Sequence, residues 1–189
     1  DYVIAPMTVP SGLTAQLTGV DHHGQHQVLD VVEERPLTIF LNSQEIVTAM
    51  TIGDYPEYLA LGFLRNQGML QSDDQITDIA FDEELETIVV RTARTTDYEA
   101  KLQKKTRTSG CAVGTVFGDM MEGLEAVKLP RSDIKTSWLY TLAAKINRTP
   151  SLYLKAGAIH GTVLCHQDQP LVYMEDVGRH NAVDKVAGW

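Results

Sequence analysis

Cysteine is scarce in this sequence: Cys111 and Cys165 are its only two, and they stand far apart in 189 residues. They offer no disulfide framework of the kind that stabilises small secreted domains. No apolar run approaches the ~20 residues that a membrane-spanning helix needs, and no basic, apolar leader opens the chain. We therefore expect a cytoplasmic protein that is neither secreted nor inserted in a membrane.

Positive charge is also in short supply, because 16 Lys and Arg face 25 Asp and Glu for a net charge of −9. Non-specific nucleic-acid binding requires cations that neutralise phosphates, so a nucleic-acid partner is not expected. The apolar fraction of 43% fits an ordinary globular protein. The charges are segregated: residues 73–86 contain acids and no bases, whereas residues 101–107 contain bases and no acids. That basic segment leads directly towards Cys111.

Strand patterns dominate the first half of the chain. Residues 1–25 contain several Pro and Gly and predict a loose lead-in or an early edge strand. Two β-rich runs at 36–41 and 45–50 predict a hairpin. Asp54 is a candidate N-cap for a helix that ends near Gly68.

The pattern continues with strands at 76–81 and 85–92, which complete a β-rich part of the chain. Beyond them, helical spacing precedes strands at 158–166 and 171–175.

A last helix is predicted to begin at an Asp176 cap and to continue through Lys185, with Val183, Val186 and Ala187 towards the core.

Two parts follow from this order: residues 1–105, a β-rich N-terminal subdomain with one helix, and residues 106–189, an α/β portion. The second part is expected to be incomplete at its C-terminus, because the chain stops directly after a helix with no closing strand.

Three segments could carry chemistry. Cys111 lies between small residues and follows four cations, a setting that stabilises the reactive thiolate; a small buried cysteine in a turn is the alternative. His160 follows Gly157 in a run of small residues that would let an anionic ligand approach the backbone, although a structural histidine fits equally well.

The third segment, residues 175–185, is unusually polar for a strand end and a helix. On a helix, Asp176 and Asp184 would flank His180 and orient its imidazole. Arg179 adds a planar donor fork and Asn181 both donates and accepts. This composition indicates a ligand surface, with a hydrogen-bonded domain junction as the alternative.

These segments, in this order, resemble the formate dehydrogenase accessory sulfurtransferases of the FdhD/NarQ family. The run Glu-Asp-Val-Gly-Arg-His-Asn-Ala-Val-Asp-Lys at 175–185 carries most of the resemblance, which begins near Glu34 and continues through residues 59–70. The resemblance implies a mixed α/β (α+β) fold: a cytidine-deaminase-like three-layer α/β portion with a smaller β-rich N-terminal part. It also implies a homodimer.

The same resemblance implies a sulfurtransferase that carries persulfide sulfur on Cys111. It would take the sulfur from a cysteine desulfurase and pass it to the molybdenum or tungsten bis-guanylyl pterin cofactor, which then enters the formate dehydrogenase apo-enzyme. No metal site of the protein's own is predicted. The expected cofactor-binding residues are Gly157, His160, Asp176, Arg179, His180 and Asn181.

The sequence departs from the family pattern in two loops. The family's Cys-Gly-Val-Cys-Gly is Cys-Ala-Val-Gly-Thr here, so Gly114 stands where a second cysteine is usual. The family's Thr-Gly-Gly-x-His-x-Ala keeps only one glycine and His160. A cofactor-binding chaperone without sulfur transfer is therefore an alternative function. A deaminase-type zinc hydrolase is disfavoured, because the chain has neither the His-x-Glu nor the Cys-x-x-Cys that such an enzyme needs.

Overall fold

The computed structural model of the protein describes residues 12–94 and 127–189, together with the backbone of residues 105–107 and 115–117. Mixed α and β structure, the predicted class, is confirmed. Cys111 lies outside the described residues, and the division of the chain at residue 105 stays a prediction. In chain order the elements are β1 (Thr14–Val20), β2 (His26–Val32), β3 (Arg35–Leu41), β4 (Gln44–Thr51), α1 (Pro56–Asn66), β5 (Ile76–Asp82), β6 (Thr87–Thr92), β7 (Lys105–Arg107), β8 (Thr115–Phe117), α2 (Thr136–Ile146), α3 (Leu152–Ala156), β9 (His160–His166), β10 (Gln169–Asp176) and α4 (Arg179–Gly188).

A four-stranded sheet in the order β4-β3-β6-β5 forms the centre of the N-terminal part. The predicted hairpin is confirmed as β3 and β4, whose tight connection places Asn42 at a φ of 55°. The two predicted strands that follow are confirmed as the antiparallel pair β5 and β6, and β6 also pairs in parallel with β3. The chain therefore crosses from β4 through α1 before it returns to the sheet.

The main hydrophobic core lies between this sheet and α1. Alternate residues of β3 and β6 point to one face, as the two-residue period of a strand requires. Each fully buried Leu or Ile contributes about 1.5–3 kcal/mol relative to exposure. The buried members are Leu37, Ile39, Leu41, Ile46, Leu59, Ala60, Phe63, Leu64, Met69, Leu70, Ile88 and Val90.

Two hairpins flank the main sheet. β1 pairs with β2, so the predicted early edge strand is confirmed, and β9 pairs with β10. A smaller core beneath them joins the first hairpin, the end of β4 and α3 through Leu13, Ile52, Leu152 and Ile159.

The prediction that Val183, Val186 and Ala187 of α4 face the core was wrong. Val183 is 48% exposed, and Val186 and Ala187 are only partly buried, whereas Ala182 and Lys185 are fully buried. The larger apolar residues of this helix do not set its orientation, because its buried face consists of polar side chains, Gly188 and the small Ala182.

Helices α1 and α4 pack backbone against backbone through two glycines. A Cβ atom at Gly62 would lie 1.7 Å from the carbonyl oxygen of Asp184, and one at Gly188 would lie 1.9 Å from the carbonyl oxygen of Tyr58. Only glycine permits so close an approach. This contact joins the N-terminal sheet layer to the end of the chain.

Among the described residues, none of the helices combines the length and the apolar composition needed to cross a membrane.

Replacing Gly62 with alanine is expected to destabilise the protein. Alanine favours an isolated helix, but its methyl group would collide with the backbone of α4, and overpacking of this kind costs about 1–3 kcal/mol. Urea unfolding followed by circular dichroism measures the change. Gly19→Ala is the control, because its added Cβ meets no atom within 4 Å among the described residues other than its chain neighbours. An equal effect of the two substitutions would contradict the close packing of α1 and α4.

Candidate functional site

The polar side chains of segment 175–185 are partly buried and partly exposed. β10 ends at Asp176, a short turn follows, and α4 begins at Arg179. Arg179 and His180 are exposed at the start of the helix. The buried set consists of Glu175, Asp176, Asn181, Asp184 and Lys185.

Lys185 is the centre of the buried set, and its side chain is 0% exposed. Its ammonium group donates to Asp54 Oδ1 at 2.5 Å, to Asp176 Oδ2 at 2.6 Å and to the carbonyl oxygen of Glu175 at 3.0 Å. All three donors of the group are therefore used. Burial raises the pKa of Asp54, while the neighbouring Lys185 opposes that rise. We call Asp54, Asp176 and Lys185 the buried triad.

Asp176 does not cap α4 as predicted. Gly178 is the N-cap residue, and no side chain in the described part of the protein caps the helix. Asp176 Oδ1 instead accepts from the Gly178 amide and from Asn181 Nδ2, each at 3.0 Å, while Oδ2 accepts from Thr51 Oγ1 at 2.5 Å. A fully buried carboxylate requires partners on both oxygens, and this demand outweighs one capping bond.

Asp54 likewise does not cap α1. Tyr55 occupies the N-cap position with a left-handed φ of 48° and without a side-chain capping bond. A capping bond contributes about 1 kcal/mol, whereas hydrogen bonds to a buried charge contribute about 1.5–3 kcal/mol. The Asp54 carboxylate therefore binds Lys185, which lies far along the chain.

Asn181 and Asp184 extend the junction to β4 and α1. Asn181 Nδ2 donates to the Met50 carbonyl at 2.7 Å, and Asn66 Nδ2 donates to Asp184 Oδ1 at 2.6 Å. Burial raises the pKa of Asp184 to about 6, with the Asn66 bond acting in the opposite direction. Among the described residues, neither flanking carboxylate bonds to the imidazole of His180, so the orientation predicted for it is not formed.

Glu175 fixes α3 beside β10. Its carboxylate accepts from the amides of Leu152 and Tyr153 at 2.7 and 3.0 Å and from the Tyr173 hydroxyl at 2.9 Å. Burial, followed by the charge of Glu175, raises the pKa of Tyr173. The N-terminus of α3 is held by this carboxylate and by Ser151.

Gly157 and His160, two of the predicted cofactor-binding residues, come directly after the helix that Glu175 holds in place. Gly157 ends α3 with a positive φ of 64°, and His160 begins β9 directly opposite Asp176 in the strand ladder. His160 is exposed. The strand pairing thus places His160 at the end of β10 that leads into Arg179 and His180, and we call these three side chains the exposed set.

Of the two cysteines, only Cys165 lies among the described residues. It is half-buried in β9, and burial raises the pKa of its thiol, which disfavours the thiolate.

Thr51, Asp54 and Asn66 are the partners of the buried side chains of segment 175–185. The sequence analysis did not predict this role. Each meets its partner from more than 100 positions away along the chain. Only Asp54 gave a local signal, and that signal indicated a helix cap.

Replacing Lys185 with methionine is expected to lower the free energy of unfolding by about 3–5 kcal/mol, because two buried carboxylates would lose their cation. Chemical denaturation measures the loss. Arg91→Met is the control: Arg91 pairs with Asp78 at 2.6 Å, but both side chains are about half exposed, so a change below about 1 kcal/mol is expected. Equal losses would contradict a structural role for the triad.

Asp184→Asn is expected to stabilise the protein by about 1–3 kcal/mol near pH 8 and to have little effect below about pH 4. The pKa of Asp184 is about 6 in the folded state against an ordinary 3.8, so the folded state holds the extra proton and stability falls as pH rises through this window. The variant keeps an oxygen that accepts from Asn66. Denaturation at both pH values measures the difference, and a pH-independent difference would contradict the assignment.

The chain is similar in sequence to known proteins. The chain is 27% identical over 162 residues to the sulfur carrier protein FdhD of Bacillus pumilus, covering 85% of this chain and 62% of that protein. It is 30% identical over 161 residues to the sulfur carrier protein FdhD of Bacillus subtilis, covering 84% and 61%. The chain thus spans less than two thirds of the length of these relatives.

A solved structure shares the fold. It is a crystal structure of a protein from Desulfotalea psychrophila with the provisional name of formate dehydrogenase accessory protein. It superposes with a TM-score of 0.68 at 24% identity, covering 93% of this chain and 66% of that one. The model of the FdhD/NarQ family matches residues 32–189, which include every element from β3 to α4. The chain belongs to the FdhD/NarQ family.

Proposed function

We propose that the protein carries sulfur as a persulfide on Cys111 for the maturation of formate dehydrogenase. The family match and the relatives named sulfur carrier proteins support this role. The observation that carries the proposal is that segment 175–185 contains both buried structural side chains and exposed side chains that are available to a ligand. Its buried residues are engaged in structural hydrogen bonds, while Arg179 and His180 remain exposed just after the end of β10, where His160 pairs with Asp176 in the strand ladder.

The sulfur step needs a single ionised thiol. The thiolate of Cys111 attacks the sulfane sulfur of a cysteine desulfurase persulfide and displaces the desulfurase thiolate, so no net oxidation or reduction occurs. The cations of residues 101–107 would favour the thiolate. The other cysteine, Cys165, is a poor candidate because burial raises the pKa of its thiol.

Release of the sulfur differs from the two-cysteine pattern of the family. Gly114 cannot form a local disulfide with Cys111, so the acceptor itself or an external thiol takes the sulfane sulfur. The acceptor in this proposal is the molybdenum or tungsten bis-guanylyl pterin cofactor, bound as a substrate.

The exposed set suits the phosphate groups of such a cofactor. Arg179 can donate two parallel hydrogen bonds to a phosphate, and His160 and His180 can donate when protonated. The amides at the start of α4 have no side-chain cap among the described residues and would favour an anion. Gly157 leaves the backbone before β9 accessible, while Asp176 and Asn181 would act by fixing the turn from which Arg179 projects.

The partners in this proposal are a cysteine desulfurase and the formate dehydrogenase apo-enzyme, in the cytoplasm, with the protein acting as a homodimer.

Mass spectrometry after incubation with a cysteine desulfurase and cysteine tests the sulfur step. The protein is expected to gain the mass of one sulfur atom, Cys111→Ala to gain none, and Cys165→Ala to behave as the wild type. No adduct on the wild type, or an adduct retained by Cys111→Ala, would overturn sulfur transfer through Cys111.

A cofactor-binding chaperone is the second candidate, favoured by the glycine at position 114. It would present the cofactor to the apo-enzyme without moving sulfur. Maturation of formate dehydrogenase in cells separates the two functions. The chaperone tolerates Cys111→Ala and fails with Arg179→Ala, whereas the sulfur carrier fails with both.

A further inference from the structure

The outer edge of β1 lacks the protection that edge strands usually have. Within the described part of the chain β1 pairs only with β2, so no described strand covers the N–H and C=O groups of its other edge. Its sequence, Thr-Ala-Gln-Leu-Thr-Gly-Val, contains neither a charged residue nor proline. The pairing with β2 is regular over all seven residues, without a bulge. Charge, proline and bulges are the devices by which proteins keep an edge from pairing with another chain.

Exposed apolar side chains lie on both strands of this hairpin. Leu17 is 58% exposed and Val20 is 63% exposed on β1, and Val28 and Leu29 on β2 are exposed to a similar extent. Leu17 and Leu29 are opposite each other in the ladder. A two-stranded hairpin has little stability of its own in water, so pairing with a further strand would add to the support that this one receives from the smaller core.

The opposite edge of the hairpin is different. β2 contains Asp30, whose carboxylate lies 3.8 Å from the ammonium group of Lys155 on α3. Lys155 also donates to Thr14 at 3.0 Å, which fixes the hairpin against α3. The β2 edge is therefore charged and neighboured by a helix, and β1 provides the neutral edge.

The neutrality of β1 selects the partner. With a net charge of −9, two copies of this chain repel each other over most of their surface, and contact is favoured where neither copy contributes an acid. An antiparallel pair of identical strands also has the two-fold symmetry that a closed dimer requires.

We propose that two copies of this chain associate through their β1 edges, which pair antiparallel to form a continuous four-stranded sheet. Full overlap of the seven residues centres the two-fold axis on Leu17 and places Leu17 opposite its own copy. The same register places Gln16 of each copy opposite Thr18 of the other. This interface specifies how the two subunits of the proposed homodimer contact each other. It rests on the proposed function only in taking two as the number of subunits.

Paired charge substitutions test both the edge and the register. Gln16→Lys/Thr18→Lys places like charges opposite each other twice and is expected to weaken the dimer at least about tenfold, because opposed like charges destabilise a ladder. Gln16→Lys/Thr18→Glu places opposite charges at the same two positions and is expected to keep the dimer. Sedimentation equilibrium over a range of protein concentrations gives the dissociation constants.

The matched control adds two charges to β2 instead. His26 and Gln27 are exposed, so His26→Lys/Gln27→Lys is expected to leave the dissociation constant unchanged. Far-UV circular dichroism verifies that each variant folds. A wild type that is monomeric at every concentration, a Lys/Glu variant as weak as the Lys/Lys variant, or a control as weak as either would overturn the proposal. None of these measurements depends on sulfur transfer, so they fail independently of the persulfide assay.

Discussion

The ammonium group of Lys185 holds together parts of the protein that lie 131 positions apart in the sequence. It bonds to Asp54 just before α1 and to Asp176 at the end of β10, in a setting where its side chain has no contact with water. An unpaired charge in such a place would cost several kcal/mol, so each member of the buried triad requires the others. Around the triad, the close approach of α1 and α4 at Gly62 and Gly188 leaves little freedom for either helix.

This constraint would let a strongly polar segment serve both a structural purpose and the ligand-binding purpose proposed above. Hydrogen bonds among buried side chains hold strand β10 and helix α4 together. The bonds of Asp176 to Gly178, Asn181 and Lys185 fix the turn from which α4 begins. Arg179 and His180 then project outward from a fixed turn, at the strand end that His160 occupies on β9. A ligand-binding group gains affinity when its position is set before the ligand arrives. In the proposed sulfur carrier, the junction would provide that pre-organisation.

Local pattern was sufficient to predict most of the strands. The β3–β4 hairpin and the β5–β6 pair follow from β-branched runs and short turns, and the start of α1 follows from Pro56. The same local rules failed at Asp54 and Asp176, because both were interpreted as caps while their carboxylates bind a lysine that only the folded chain brings near. They failed again at Val183, since the face of α4 is chosen by glycine contacts and buried charge. The alternative interpretation of segment 175–185 as a junction accounts for its buried residues.

A double-mutant cycle on Asp54→Asn and Lys185→Met tests most directly whether the buried triad joins the segment before α1 to helix α4. Unfolding free energies of the wild type, the two single variants and the double variant give the coupling between the two side chains. The account predicts a coupling above about 1.5 kcal/mol, with the double variant more stable than the sum of the single losses implies. Losses that add to within about 0.5 kcal/mol would show the two groups to be independent and would contradict the account.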